Sequence, residues 1–135
     1  MITIELAGEP QGKGRPRFGN GRAFTPAHTR SYEAALRFAA QEAMGERPPL
    51  SGPLIVNVWA YFPVRPSWPK KKQANALAGL IYPTSKPDWE NCAKMLDAFN
   101  QVVWEDDAQV VTGTICKRYS ERPRLQISVE PIDTP

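Results

Sequence analysis

Only two cysteines and one histidine occur among the 135 residues. Cys92 and Cys116 form no CxxC and have no paired histidine, which excludes a zinc framework and leaves two small, reduced, buried thiols. His28 has no triad partner near it in sequence and takes no catalytic role. No apolar run approaches the length of a membrane span. The opening Met-Ile-Thr-Ile-Glu-Leu lacks the basic start and long apolar core of a signal peptide, so a cytoplasmic compartment is expected. Internal repeats and a second domain are missing too.

What is present reads as one globular domain, with 41% hydrophobic and 23% charged residues and enough length for a real core. The formal net charge is +3, but its distribution says more than the sum. Acids crowd into the central stretch, whereas Lys and Arg dominate residues 13–37 and 70–72. Separation of this kind points to a polyanionic partner.

Ile2, Ile4 and Leu6 alternate with Thr3 and Glu5, which predicts a first strand with one buried face. Residues 8–21 follow as a loop in which Gly and Pro punctuate nearly every step. That loop carries Lys13, Arg15 and Arg17 beside glycines that let backbone amides approach a ligand closely, a pattern suited to phosphate contact. Thr25-Pro26 opens a helix marked by Tyr32, Leu36, Ala39 and Ala43, ending near Gly45. Residues 54–62 are apolar, β-branched and aromatic, and predict a central strand. Ser67 is expected to cap a short helix with Pro69 in its first turn and Gly79 at its close; it presents Lys70, Lys71 and Lys72. Residues 109–119 predict a strand with Val111 and Ile115 on one face. A turn at 120–123 and the alternation Leu125, Ile127, Val129 complete a hairpin. The order β-α-β-α-α-β-β predicts an α+β or α/β domain on one mixed sheet.

The chemistry concentrates in residues 86–109. Pro87 disfavours helix at Lys86 and leaves Asp88 to cap a helix starting at Trp89. Cys92, Met95, Leu96 and Phe99 recur on one helical face, with Glu90, Lys94 and Asp97 opposite. Glu105, Asp106 and Asp107 then precede a strand, flanked by Val103 and Trp104 at the edge of buried structure. Taken singly, these acids suit a cap, a surface ion pair and a polar turn. Together, oxygen-only donors without histidine suit Mg²⁺ or Mn²⁺. Such an ion polarises a phosphoryl oxygen and steadies the leaving oxygen, and a nearby lysine stabilises developing charge. This reading requires the fold to return the acidic cluster beside the helix start.

These segments resemble the RusA-type Holliday-junction resolvases. The resemblance rests on Lys-Gly-Arg-Pro-Arg-Phe and Ala-Phe-Thr-Pro within residues 13–26, on Ser-Trp-Pro-Lys-Lys-Lys at 67–72, on Lys-Pro-Asp-Trp-Glu-Asn-Cys-Ala-Lys at 86–94, and on Trp-Glu-Asp-Asp-Ala-Gln-Val at 104–110. The front segment is similar to that of the branch found in phages and prophages. By this resemblance Asp88, Glu90 and Asp107 hold metal, Glu90 standing where the family usually has a second aspartate. Asn91 is in its usual place and Lys94 matches the catalytic lysine, while the segment from Lys94 to Asp97 is one residue shorter than usual. The implied protein is a homodimeric Mg²⁺-dependent endonuclease (Mn²⁺ as substitute) that nicks four-way DNA junctions symmetrically in recombination and repair. Lys13, Arg15, Arg17, Lys70, Lys71, Lys72 and Lys86 would contact DNA. Other branched or flapped DNA, or a junction-binding module without turnover, are the alternatives.

Overall fold

Alternation of apolar and polar residues builds the sheet. In the computed structural model, which describes residues 1–13, 17–19, 22–24 and 27–134 and only the backbone at 17–19, 22–24 and 28, four strands form one mixed sheet. They are β1 (Ile2–Ala7), β4 (Leu54–Phe62), β5 (Val110–Tyr119) and β6 (Arg124–Pro131), in the spatial order β1-β6-β4-β5. β6 runs antiparallel to both β1 and β4, and β4 runs parallel to β5. A row of paired residues, Ile4–Ile127–Val58–Ile115, crosses all four strands. Two short strands, β2 (Arg17–Gly19) and β3 (Arg22–Phe24), pair separately within the front segment.

The helices pack on the face that this row presents. Helix α1 (Ala27–Met44) buries Tyr32, Leu36, Ala40 and Met44, a 3.6-residue stripe that lies on Ile2 and Ile4 of β1. Helix α2 (Lys70–Leu77) is short. Helix α3 (Trp89–Lys94) tightens into a 3-10 turn over Met95–Phe99. Phe99 and Trp104, both fully buried, pack edge to face at 5.5 Å and plug the end of the core.

Three local expectations are corrected. β5 and β6 are not a hairpin, because β4 lies between them. The Ser120 amide donates to Phe62 O, so the connection passes over the end of β4. The inward positions Leu125, Ile127 and Val129 suit β6 to an interior position, whereas the Thr-Gly-Thr of β5 suits an edge. Ser67 does not cap α2. Pro69 occupies that position with no side-chain bond, although Gly79 closes the helix at φ +80° as expected. Val111 does not share a face with Ile115: a register shift opposite Leu54 and Ile55 leaves Val111 61% exposed. The expected entry at Thr25-Pro26 lies outside the described residues.

Candidate active site

Asp88 begins the site. Its backbone is extended, and its Oδ1 accepts the Asn91 amide at 2.8 Å, which caps α3 as the Pro-Asp pair predicts. Lys86 Nζ donates to Oδ2 at 3.2 Å. The Asn91 amide first, then Lys86, with a further contribution from the Lys94 charge, hold the carboxyl of Asp88 below the usual range. One turn on, Lys94 Nζ lies 3.1 Å from Glu90 Oε1, the i,i+4 pair that the spacing implies.

The turn entering this helix is pinned from two sides. Lys117 of β5 donates to Ser85 O and Pro87 O, each at 2.8 Å. Gly12 and Lys13 lie across it, with the Lys13 amide donating to Asn91 O at 3.0 Å. Gly12 sits so close that an added Cβ would fall 2.6 Å from Pro87 Cβ and 2.8 Å from Asn91 Cβ. Glycine here serves close approach to the protein's own helix. Asp88, Lys86, Trp89 and Lys117 line an open recess of about 760 Å³.

Asp107 lies on a second turn, a 3-10 turn over Asp107–Gln109 that leads into β5. Gln109 organises it: Oε1 accepts the amides of Glu105 and Asp106 at 3.0 and 3.2 Å, and Nε2 donates to Leu50 O and Gly52 O. Val103 and Trp104, fully buried, anchor the preceding residues, while Glu105, Asp106 and Asp107 themselves are exposed. Local burial, then the negative charges of Asp106 and Asp97, push the carboxyl of Asp107 up. Asp97 in turn accepts from Lys13 Nζ at 3.1 Å, and Glu33 from the same ammonium at 3.4 Å. Burial alone would lower the Lys13 pKa, but these two acids raise it overall.

The two turns stand at opposite ends of β5. Lys117, which holds the Asp88 turn, is seven residues from Val110, about 23 Å along an extended strand. From Asp88 to Asp97, which lies by Asp107, nine helical residues rise about 14–18 Å. Among the described residues, no three acid, histidine or cysteine side chains form a group that could hold a metal ion. The oxygen donors of Asp88, Glu90 and Asp107 fit Mg²⁺ chemically, yet one chain does not bring all three onto one ion.

The basic residues gather with Asp88. Lys70, Lys71 and Lys72 are exposed, and none has a carboxylate partner among the described residues. Lys72 lies over the Trp68 ring at 4.1 Å, and Trp68 meets Tyr119 edge to face at the C-terminal end of β5. Arg65, Lys86 and Tyr119 line one small cleft there. Arg15 and the side chain of Arg17 lie outside the described residues. Sequence reasoning missed Gln109, although the Asp106-x-x-Gln109 spacing of a capping box is a readable signal. It also missed Lys117 and the pairing of Lys13 with Asp97, which have no local signal because their partners are 30 and 84 residues away.

No helix is long and apolar enough to cross a membrane. Along most of its length the chain is similar to the uncharacterised protein YqaN of Bacillus subtilis (strain 168), at 35% identity over 97% of this chain and 96% of that protein. Residues 7–130 match the family described as Endodeoxyribonuclease RusA, a span that contains both acidic turns and every basic segment described above. The chain belongs to the RusA family of endodeoxyribonucleases.

Proposed function

We propose that this protein is a structure-specific endodeoxyribonuclease that resolves Holliday junctions by paired symmetric nicks, acts as a homodimer and depends on Mg²⁺, with Mn²⁺ as a substitute. The observation that carries this reading is the exposed acid–lysine unit of Asp88, Glu90 and Lys94 beside an open recess, in a chain of this family. Asp88, Glu90 and Asp107 are the metal-binding residues of this proposal, in keeping with their hard oxygen donors. Lys94 supplies positive charge beside them for the developing charge on the phosphate.

Lys70, Lys71, Lys72 and Lys86, with Arg15 and Arg17, contact backbone phosphates and so recognise junction shape rather than sequence. Lys13 already has two carboxylate partners, Glu33 and Asp97.

The test is incubation with a synthetic four-way junction, a linear duplex and a flap, with Mg²⁺ or EDTA. Symmetric nicking of the junction alone, stopped by EDTA, is expected. Preferential cutting of the flap, or junction binding without cutting, overturns the reading. Asp107→Asn should abolish cleavage and leave junction binding within about twofold, since it removes a metal ligand and no phosphate contact.

A further inference from the structure

Lys117 is a cation that the acid–lysine unit leaves unused. It lies on β5, and its side chain passes the buried Phe62 ring, with Nζ 5.4 Å from the ring centroid. From there it reaches the turn before α3 and donates to Ser85 O and Pro87 O, each at 2.8 Å. Both acceptors are neutral. Among the described residues no carboxylate pairs with it. A lysine ammonium has three N–H donors, so one donor and the whole charge stay uncommitted. A part-buried cation in that state calls for an anion.

The recess beside Asp88 has room for one. Lys117 lines its 760 Å³ together with Thr84, Ser85, Lys86, Asp88 and Trp89. Two ammonium groups and two hydroxyl-bearing residues suit the oxygens of a phosphate. Asp88, the acid of that recess, gives its own oxygens to the Asn91 amide and Lys86. Trp89, 58% exposed, adds a flat apolar flank, so the recess takes a phosphate with its sugar rather than a bare ion. Lys86 also lines the small cleft of Arg65 and Tyr119, and Tyr119 meets Trp68, over which Lys72 lies. The recess is thereby joined to the α2 lysines.

We propose that Lys117 binds a DNA phosphate in this recess, the neighbour on the nicked strand of the phosphate held at Asp88. Its two carbonyl bonds hold the Asp88 turn at the same time. One ammonium thus ties the position of the strand to the position of the carboxylate. The inference rests on the nuclease reading given above and adds a phosphate subsite and the residue that fills it.

The test pairs a change in the protein with a change in the DNA. Lys117→Gln keeps N–H donors for the two carbonyls and removes the charge. Binding is measured in EDTA, so that cutting does not enter. Single phosphates of the nicked strand are replaced one at a time by neutral methylphosphonate. Wild type should lose affinity roughly 10-fold at one position beside the nick. Lys117→Gln should start roughly 10-fold weaker and lose nothing further at that position. Its plot of log affinity against log salt should be flatter by about 0.9, the share of one phosphate. Lys117→Arg, which keeps the charge, should restore the slope. Equal further losses in wild type and Lys117→Gln at every position, or an unchanged slope, overturn the proposal and leave Lys117 as an anchor of the turn.

A second arm needs no variant. Wild-type lysines are acylated with acetic anhydride and read by mass spectrometry. Junction DNA should protect Lys117, and the methylphosphonate at that one position should remove the protection. Reactivity that DNA does not change overturns the proposal. The outcomes separate the two readings. Symmetric nicking of junctions without coupling at Lys117 keeps the junction activity and refutes the subsite; coupling on duplex or flap DNA with no preference for the junction does the reverse.

Discussion

Gly12 and Lys13 show how two adjacent residues seat one segment on another. Gly12→Ala would drive a methyl into Pro87 and Asn91, and the helix start cannot retreat because Lys117 holds the turn behind it. A loss of about 1–3 kcal/mol is expected from overpacking of this kind, measured by urea denaturation. An unchanged midpoint would mean that Gly12 is not docked against the start of α3. Lys13 predicts a pH effect. Its folded-state pKa is raised above the ordinary 10.5, so its stabilisation is fully present below that pH and is lost as pH rises through the folded value. The stability gap between wild type and Lys13→Met should therefore be constant from pH 7 to 9 and shrink above 10.5. A gap that persists at high pH would assign the effect to the packing of the lysine stem.

At the scale of elements, the acidic turn depends on one side chain from its own end. Gln109→Leu removes four hydrogen bonds that tie residues 105–106 to 50–52. At ~0.5–1 kcal/mol for each neutral, part-exposed bond, a loss of about 2–4 kcal/mol is expected by denaturation. Cleavage should fall by more than that loss of folded protein accounts for, because Asp107 follows directly on the bonded residues. Equal falls in activity and folded fraction would reduce Gln109 to a structural role. Helix α2 is tested through salt. Replacing Lys70, Lys71 and Lys72 with alanine should flatten the plot of log affinity against log salt by roughly 0.9 for each phosphate that the helix no longer neutralises. An unchanged slope would remove α2 from the DNA surface.

Across the whole molecule, dilution is the simplest probe. If each active site needs two chains, specific activity per chain should fall in proportion to concentration once the protein is well below its dimer dissociation constant. Activity that stays constant to the lowest measurable concentration, with monomers seen by sedimentation, would place a complete site in one chain. The order of the sheet makes this a question at all. β5 sits at an edge because β6 lies between β1 and β4, and within one chain the Asp88 and Asp107 turns stand at opposite ends of that strand.

Local order was readable from residues alone wherever neighbours in sequence carry the physics. The Asp88 cap, the Glu90–Lys94 pair, the stripe of α1 and the α+β order of elements all follow from spacing, because their partners lie within one turn or one strand. Ser67 and Val111 misled because a cap and a strand face depend on the exact entry angle and on a bulge opposite a distant strand. Folding alone decided that the last two strands separate around β4, that Lys13 turns to Asp97, and that the helix from Asp88 lies along β5 with its start far from Asp107. Such pairings are set by which buried rows fit across the sheet, a sum over residues up to a whole chain apart that no local pattern contains.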